Sequence, residues 1–220
     1  EYQRRSIGAI KTISLVGTNG DHANEVKLIA RKLADFTRVT LPLKFYPKAG
    51  QQDATTYKKI LASIEKPACA IVAVPEHLHY KITKDCLNAG LHTLVVKPLT
   101  PTLSEARKLV SLAKKHSLYG SVEFHKRWDR QNLMLRDVIK SGKLGDPLYT
   151  WTEYSQRKSI PTEIFKNWVE KSNIFQYLGV HYIDIIRFIT GATPIRVMAL
   201  GQKNWLKSQG FDVHDAIQCM

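Results

Sequence analysis

Two side chains far apart in the sequence have the chemistry to act on a bound molecule. Lys97 follows the apolar run Leu91-His92-Thr93-Leu94-Val95-Val96 and precedes Pro98. Such a run reads as a buried parallel strand, and the carboxyl end of such a strand is where a doubly wound α/β domain places its ligand. An unpaired ammonium is costly to bury, so Lys97 must face an anion, a polar substrate or solvent. His181 lies in the stretch Phe175-Gln176-Tyr177-Leu178-Gly179-Val180-His181-Tyr182-Ile183-Asp184-Ile185-Ile186. An imidazole that titrates near neutral pH can take a proton from a reacting group and return it; a histidine satisfied inside the fold is the alternative. Gly179 weakens a helix at this point unless something packs close to it. Asp184 shares a helix side with His181 and reads as a residue that orients the helix or holds neighbouring backbone.

Further residues have the character of a cofactor site. The turn Gly17-Thr18-Asn19-Gly20 stands between a first strand and its helix, where backbone N–H groups could hold a pyrophosphate. The GxGxxG spacing is not met, so a plain strand-to-helix turn stays open as a reading. After the second strand an NAD site has an acid for the ribose hydroxyls. Val39 to Phe45 contains none and Lys44 and Lys48 stand there instead, which leans towards NADP without excluding NAD. Pro75 ends the apolar run Cys69 to Val74 and stiffens a loop over which a flat ring could lie. His77 and His79 open the next helix, either as ligand contacts or as ordinary helix-start residues. They are not the i, i+4 pair of a zinc helix.

These residues need a scaffold, and the periodicity supplies one. Strands are predicted over Lys11 to Val16, Val39 to Phe45 (interrupted by Pro42), 69–74, 92–96 and Leu118 to Phe124. Between them helical stripes run through Val26, Ile29, Ala30 and Leu33, then Tyr57, Ile60, Leu61 and Ile64, then Ile82, Cys86 and Ala89, then Leu103, Ala106, Leu109, Val110 and Ala113. Alternation of strand and helix with short connections gives an α/β fold of the Rossmann type, a doubly wound parallel sheet with strand ends and helix starts on one rim. The pattern changes near residue 122. A helix around Leu133 to Ile139 ends at Ser141-Gly142, Leu148 to Tyr154 alternates as a strand, and 155–173 is irregular. A helix covers roughly 174–190, and strands are predicted over Arg196 to Leu200 and Val213 to Met220. We therefore expect a domain over 1–121 that binds a dinucleotide and a truncated α+β domain over 122–220 with an open, mainly antiparallel sheet for substrate binding and oligomerisation. The chain stops inside a candidate strand, so that sheet reads as incomplete.

Thirty-three Lys and Arg against nineteen Asp and Glu leave a formal net charge of +14 on 220 residues. Such a surplus draws anions. The basic residues are scattered, though, and no zinc-finger spacing or RNP-like aromatic motif accompanies them, so nucleic acid is not the expected partner. No run approaches the length of a membrane span. Glu1 to Ser6 are polar, lack an initiating Met and carry no signal-peptide core, as in a processed or trimmed chain. Cys69, Cys86 and Cys219 form an odd, widely spaced set without a CxxC pair. Neither a disulfide framework nor a metal site is indicated, and a reducing, cytoplasmic setting is expected.

Three ordered segments carry a family likeness. Val74-Pro75-Glu76-His77-Leu78-His79-Tyr80, Val95-Val96-Lys97-Pro98-Leu99 and Leu178-Gly179-Val180-His181-Tyr182-Ile183-Asp184, with Ser141-Gly142-Lys143-Leu144-Gly145-Asp146-Pro147 between them, resemble the Gfo/Idh/MocA oxidoreductases over nearly the whole chain. The resemblance implies an NAD(P)-dependent enzyme that moves a hydride between nicotinamide and a hydroxyl carbon of a sugar, cyclitol or related polyol, and that assembles into dimers or tetramers. It matches Lys97 to the lysine of a Glu-Lys-Pro motif and His181 to the catalytic histidine. On that basis the catalytic set is Lys97, His181 and Tyr177, the last donating a hydrogen bond one helical turn before His181. Gly17, Thr18, Asn19, Gly20, Pro75, His79 and Lys97 would hold NAD or NADP. Val96 stands where the family commonly has glutamate, and Tyr177 where many members have aspartate. Those departures fit a subfamily with a different substrate or one with weakened chemistry; a non-catalytic NAD(P)-binding or regulatory protein is the alternative function.

Overall fold

A computed structural model describes residues 10–220; the polar start from Glu1 to Ser6 lies outside the described residues. The chain divides into two compact units, one up to Ala68 and the other from Cys69 onward.

In the first unit β1 (Ile13–Val16) pairs in parallel with β2 (Leu43–Tyr46), Ile13 opposite Leu43 and Val16 opposite Tyr46. Helix α1 (His22–Thr37) connects them, and α2 (Thr56–Ser63) follows β2. The second strand is shorter than its β-rich sequence suggests because Pro42 sits just before it. A proline has no N–H for a ladder, and here it contributes only its carbonyl, which accepts from the Ile13 N–H at 2.8 Å. Val26, Ile29 and Leu33 do recur along α1, yet no residue of that helix is buried.

The second unit contains a three-stranded parallel sheet in the order β3 (Cys69–Val72), β4 (His92–Val96), β5 (Gly120–Glu123). Val72 lies opposite Val95, and Val96 opposite Glu123, so all three strands end side by side. Helix α3 (His79–Asn88) joins β3 to β4, and α4 (Leu103–Lys115) joins β4 to β5. Val72, Cys86, Leu87, Leu91, Val95 and Leu109 are buried between sheet and helices. The buried stripe of α4 is narrower than the sequence pattern, since Leu103 and Val110 are exposed. Its start is capped by Thr102, whose Oγ1 accepts from the Glu105 N–H and donates to Glu105 Oε2.

Beyond β5 a 3₁₀ turn (His125–Trp128) leads into α5 (Arg130–Lys140). The strand expected over Leu148 to Tyr154 does not form. Its residues alternate correctly, but no partner strand lies beside them among the described residues, and Leu148, Tyr149 and Trp151 stay exposed. A wide turn of π-helix (Phe175–Gly179) runs directly into α6 (Val180–Thr190), which Gly191 closes in the left-handed conformation at φ 74°. The Phe175 ring packs where a Cβ on Gly179 would stand, 2.6 Å from its nearest atom, which explains a glycine inside this helix. β6 (Ala199–Gln202) and β7 (Ala216–Cys219) form an antiparallel pair, each displaced from or shorter than its predicted span. Between them α7 (Trp205–Ser208) is capped by Asp215, whose carboxylate accepts from the N–H groups of Asn204, Trp205 and Leu206. The α/β class, with parallel strands of Rossmann type and a further antiparallel sheet, is the architecture read from the sequence.

The glycine turn has a packing role that is testable. A Cβ on Gly20 would lie 1.9 Å from the Lys48 carbonyl oxygen, while one on Gly17 would meet only the Asn19 oxygen at 3.9 Å. Gly20→Ala is therefore expected to lower stability by about 1–3 kcal/mol in urea unfolding, and Gly17→Ala by clearly less.

Candidate active site

Lys97 emerges from the carboxyl end of β4 and is half-buried. Its ammonium donates to the main-chain carbonyl of Tyr177 and sits over the Tyr177 ring, 3.7 Å from the centroid. The two residues are 80 positions apart in sequence. The wide turn at 175–179 is what offers that carbonyl, and it is itself fixed by Asn173, whose Oδ1 accepts from the Phe175 and Gln176 N–H groups at 3.0 and 2.9 Å. Gln176 Nε2 in turn donates to the Pro101 carbonyl at 3.1 Å, clamping the turn onto the loop after Lys97.

One helical turn on, His181 is buried at 3% exposure and packs edge-on against the His125 ring, with centroids 4.8 Å apart. Its Nδ1 is buried without a hydrogen-bond partner. Burial, followed by the positive charges of Lys97, His125 and Lys126, pushes its pKa down to about 4. An imidazole held neutral with an unused ring nitrogen is equipped to accept a proton. Burial pulls the Lys97 pKa down as well, against the pull of Glu76 and Glu123, so its ammonium is a stronger proton donor than a surface lysine. The Tyr177 phenol is pushed up by burial and by Glu76, which keeps its proton on.

Lys97, Tyr177 and His181 thus come together at the end of one parallel strand. Tyr177 meets Lys97 through its carbonyl and ring face. Of the two roles read for Asp184, the structure shows one that orients the helix: it holds the guanidinium of Arg127, with Nε to Oδ2 at 2.6 Å and a second bond from Nη2 to Oδ1. This bidentate pair ties α6 to the 3₁₀ turn that carries His125.

The residues read as cofactor contacts divide. Pro75 precedes the 3₁₀ turn Glu76–Leu78 and accepts from the Leu78 N–H at 2.9 Å. His79 is fully buried, with Nδ1 2.6 Å from the Pro98 carbonyl and Nε2 2.8 Å from the Val74 carbonyl. Both ring nitrogens are engaged, so His79 joins the loop after β3 to the loop after β4 and has no polar atom left for a ligand. In the first unit the Gly17 N–H donates to Tyr46 and the Gly20 N–H to Gln51, each at 2.9 Å. The chain's own carbonyls occupy the two groups expected to cradle a pyrophosphate. Thr18, exposed, and Asn19, half-buried, remain as the outward part of that turn. Lys44 and Lys48 are exposed in and just after β2.

Sequence reasoning missed Glu76. The sequence gives it no role beyond its place in the segment Val74 to Tyr80, yet it is buried at 3% exposure beside Ser172, whose hydroxyl donates to its Oε2. The signal available was position: the loops after β3 and β4 share one rim in any parallel sheet. A cavity of about 1330 Å³ lies next to this cluster, lined by aromatic residues including Trp151, Tyr154, Trp168 and Tyr177. Neither Lys97 nor His181 lines it; the cavity meets the cluster through Tyr177 and through Ser172 and Asn173. Among the described residues no group of three or more His, Cys, Asp or Glu could hold a metal ion, and no helix is long and apolar enough to cross a membrane. The three cysteines are free.

Parallel strands alternating with helices, with a lysine at one strand end and a buried neutral histidine on α6, give the arrangement of a Rossmann-type protein. The family model described as "Oxidoreductase family, NAD-binding Rossmann fold" matches residues 12–124, and the GFO/IDH/MocA C-terminal domain matches 132–220. The chain belongs to the GFO/IDH/MocA family. An uncharacterized oxidoreductase, C115.03, of Schizosaccharomyces pombe is 34% identical over 131 residues, 59% of this chain and 35% of that protein. The scyllo-inositol 2-dehydrogenase (NADP(+)) IolW of Bacillus subtilis is 32% identical over 136 residues, 59% of this chain and 37% of that protein. The crystal structure of myo-inositol 2-dehydrogenase from Lactobacillus plantarum shares the fold, with a TM-score of 0.70 at 18% identity over 98% of this chain and 59% of that one. The matches with these curated relatives span little more than a third of their length.

The low pKa of His181 has a consequence for folding. Between its ordinary value of 6.5 and about 4, the unfolded chain binds a proton at this site that the folded chain refuses. Its contribution to stability is complete above 6.5 and is lost progressively as the pH falls towards 4. His181→Gln removes this dependence, so the drop in urea midpoint between pH 7 and 4.5 is expected to be smaller in the variant than in the parent. Parallel curves would show that His181 is not held neutral.

Proposed function

We propose that this chain is the catalytic part of an NAD(P)-dependent oxidoreductase that transfers a hydride between nicotinamide and a hydroxyl carbon of a sugar, cyclitol or related polyol. The observation that carries the reading is the meeting of a half-buried ammonium, Lys97, and a buried neutral imidazole, His181, at the end of a parallel strand. Family membership and the likeness to an inositol dehydrogenase support the same chemistry.

The residues fit a dinucleotide of this kind. An unsatisfied buried imidazole nitrogen and a desolvated lysine suit a polar reacting group. Pro75 and Lys97 would hold the nicotinamide end. When bound, the nicotinamide supplies the hydride acceptor or donor. His181 takes the hydroxyl proton as the alcohol is oxidised and returns it in reduction. Lys97 donates a hydrogen bond to the same oxygen and favours the negative charge that develops on it. The Tyr177 phenol, kept protonated, is a second donor to the substrate. Arg127 and Asp184 hold His125 against the imidazole. Lys44 and Lys48 favour NADP over NAD, since either can face a 2′-phosphate where an acid would repel it.

In this reading residues 1–121 bind the dinucleotide and 122–220 the substrate, and the protein is a cytoplasmic homo-oligomer, a dimer or tetramer, that does not act on nucleic acid. The scatter of its basic residues along the sequence supports the last point.

Lys97→Ala is expected to keep NAD(P)H binding, followed by nicotinamide fluorescence, and to lose about 10²–10³ in kcat on a polyol found by screening sugars and cyclitols. Unchanged turnover removes Lys97 from the chemistry. Binding with no turnover on any member of the panel by the unmodified protein would favour a non-catalytic dinucleotide-binding role.

A further inference from the structure

Glu76 is the buried charged group that the chemistry above does not use. It opens the 3₁₀ turn after β3 and is 3% exposed. Its Oε2 accepts from Ser172, while its Oε1 is buried with no hydrogen-bond partner. An oxygen with no exposed surface cannot touch a ligand from solvent. Burial favours the protonated form of such a carboxyl, so keeping it charged calls for hydrogen bonds and a nearby positive charge. Lys97 leaves the neighbouring strand and lies half-buried on the same rim, held by the Tyr177 carbonyl. Residue 96, directly before it, is valine where the lysine motif of the resembled family commonly has glutamate.

We infer that Glu76 is the fixed counter-charge of Lys97, supplied from the adjacent strand end in place of the glutamate that Val96 displaces. It is a positioning residue that acts through space, because neither of its oxygens bonds the ammonium. The electrostatics agree: Glu76 is the largest influence holding the Lys97 proton on against burial, ahead of Glu123, while burial pushes the Glu76 carboxyl up and the Ser172 hydrogen bond, then Lys97, pull it back towards the charged form. The other charged or titratable groups around the pair are distinct. Glu123, at the end of β5, is partly exposed and already engaged with His125 at 2.9 Å. His79 spans two carbonyls and acts on Glu76 as well, after Lys97, and His181 is neutral. Ser172 joins Glu76 to Asn173, the residue that fixes the turn presenting the Tyr177 carbonyl. One carboxylate thus both answers the ammonium and anchors the segment that holds it.

What this charge serves rests on the proposed oxidoreductase chemistry; the pairing itself needs neither cofactor nor substrate to be seen. The test is the titration of Lys97 in the apoprotein by NMR of ¹³C-dimethylated lysines, with the resonance assigned by Lys97→Arg. In Glu76→Gln the midpoint is expected to fall by about one pH unit or more, a tenfold rise in amine at a given pH. Ser172→Ala removes the hydrogen bond and keeps the carboxylate, so it is expected to move the midpoint far less. Val96→Glu added to Glu76→Gln is expected to bring it back towards the parent value, and no return would overturn the substitution for the motif's glutamate. Should Glu76→Gln fail to fold, the reciprocal measurement decides: the Glu76 carboxyl, followed by ¹³C NMR, titrates higher in Lys97→Met than in the parent. An unshifted Lys97 in a folded Glu76→Gln, an equal shift in Ser172→Ala, or an unshifted Glu76 in Lys97→Met overturns the inference. Loss of NAD(P)H binding or turnover in the parent protein would instead bear on the oxidoreductase reading and leave the pair intact.

Discussion

An ammonium withdrawn from water is the constraint around which the second unit is arranged. Lys97 cannot be half-buried without acceptors and counter-charge. It obtains them from a carbonyl and an aromatic face on Tyr177 and from the field of Glu76. Each source lies on a different part of the chain, so the requirement links the end of β4, the loop after β3 and the turn that opens α6. His181 follows from the same arrangement. It lies one turn beyond the carbonyl that accepts from Lys97, so the lysine's positive charge helps keep the imidazole unprotonated.

Supporting interactions fix the parts of this arrangement relative to one another. His79 spans two loop carbonyls and couples the strand ends. Asn173 and Gln176 hold the wide turn to the loop after Lys97. The Arg127–Asp184 pair sets α6 against the turn bearing His125. These are polar contacts between loops, and a parallel sheet with buried Val72, Leu91 and Val95 provides the rigid base on which they act. Preorganisation of this kind is what electrostatic catalysis requires, because charges that must be gathered at the moment of reaction stabilise it less.

Much of this was legible in the sequence, and the reasons differ by residue. The strand before Lys97 showed as an apolar run because Thr93 and Val95 are buried on one face and Leu94 and Val96 half-buried on the other, and the helix around His181 showed through its closing Gly191. The strand predicted at 148–154 failed because alternation describes a strand's two faces and says nothing about whether a partner exists. The glycine turn misled in a similar way: Gly20 is demanded by the close approach of the Lys48 carbonyl, a contact 28 positions away that no local pattern records. His79 and Glu76 lay in a recognisable segment, but their roles depend on what the fold places opposite them. A buried histidine between two carbonyls and a buried glutamate beside a lysine have the same sequence appearance as helix-start residues in water.

The central claim is that Lys97 and His181 occupy one electrostatic environment. It is tested most directly by following the imidazole resonances of His181 through pH by NMR, in the parent protein and in Lys97→Met. The account predicts protonation near pH 4 in the parent and a clear upward shift when the neighbouring cation is removed. Protonation near 6.5 in the parent, or a midpoint that does not respond to the loss of Lys97, would contradict it.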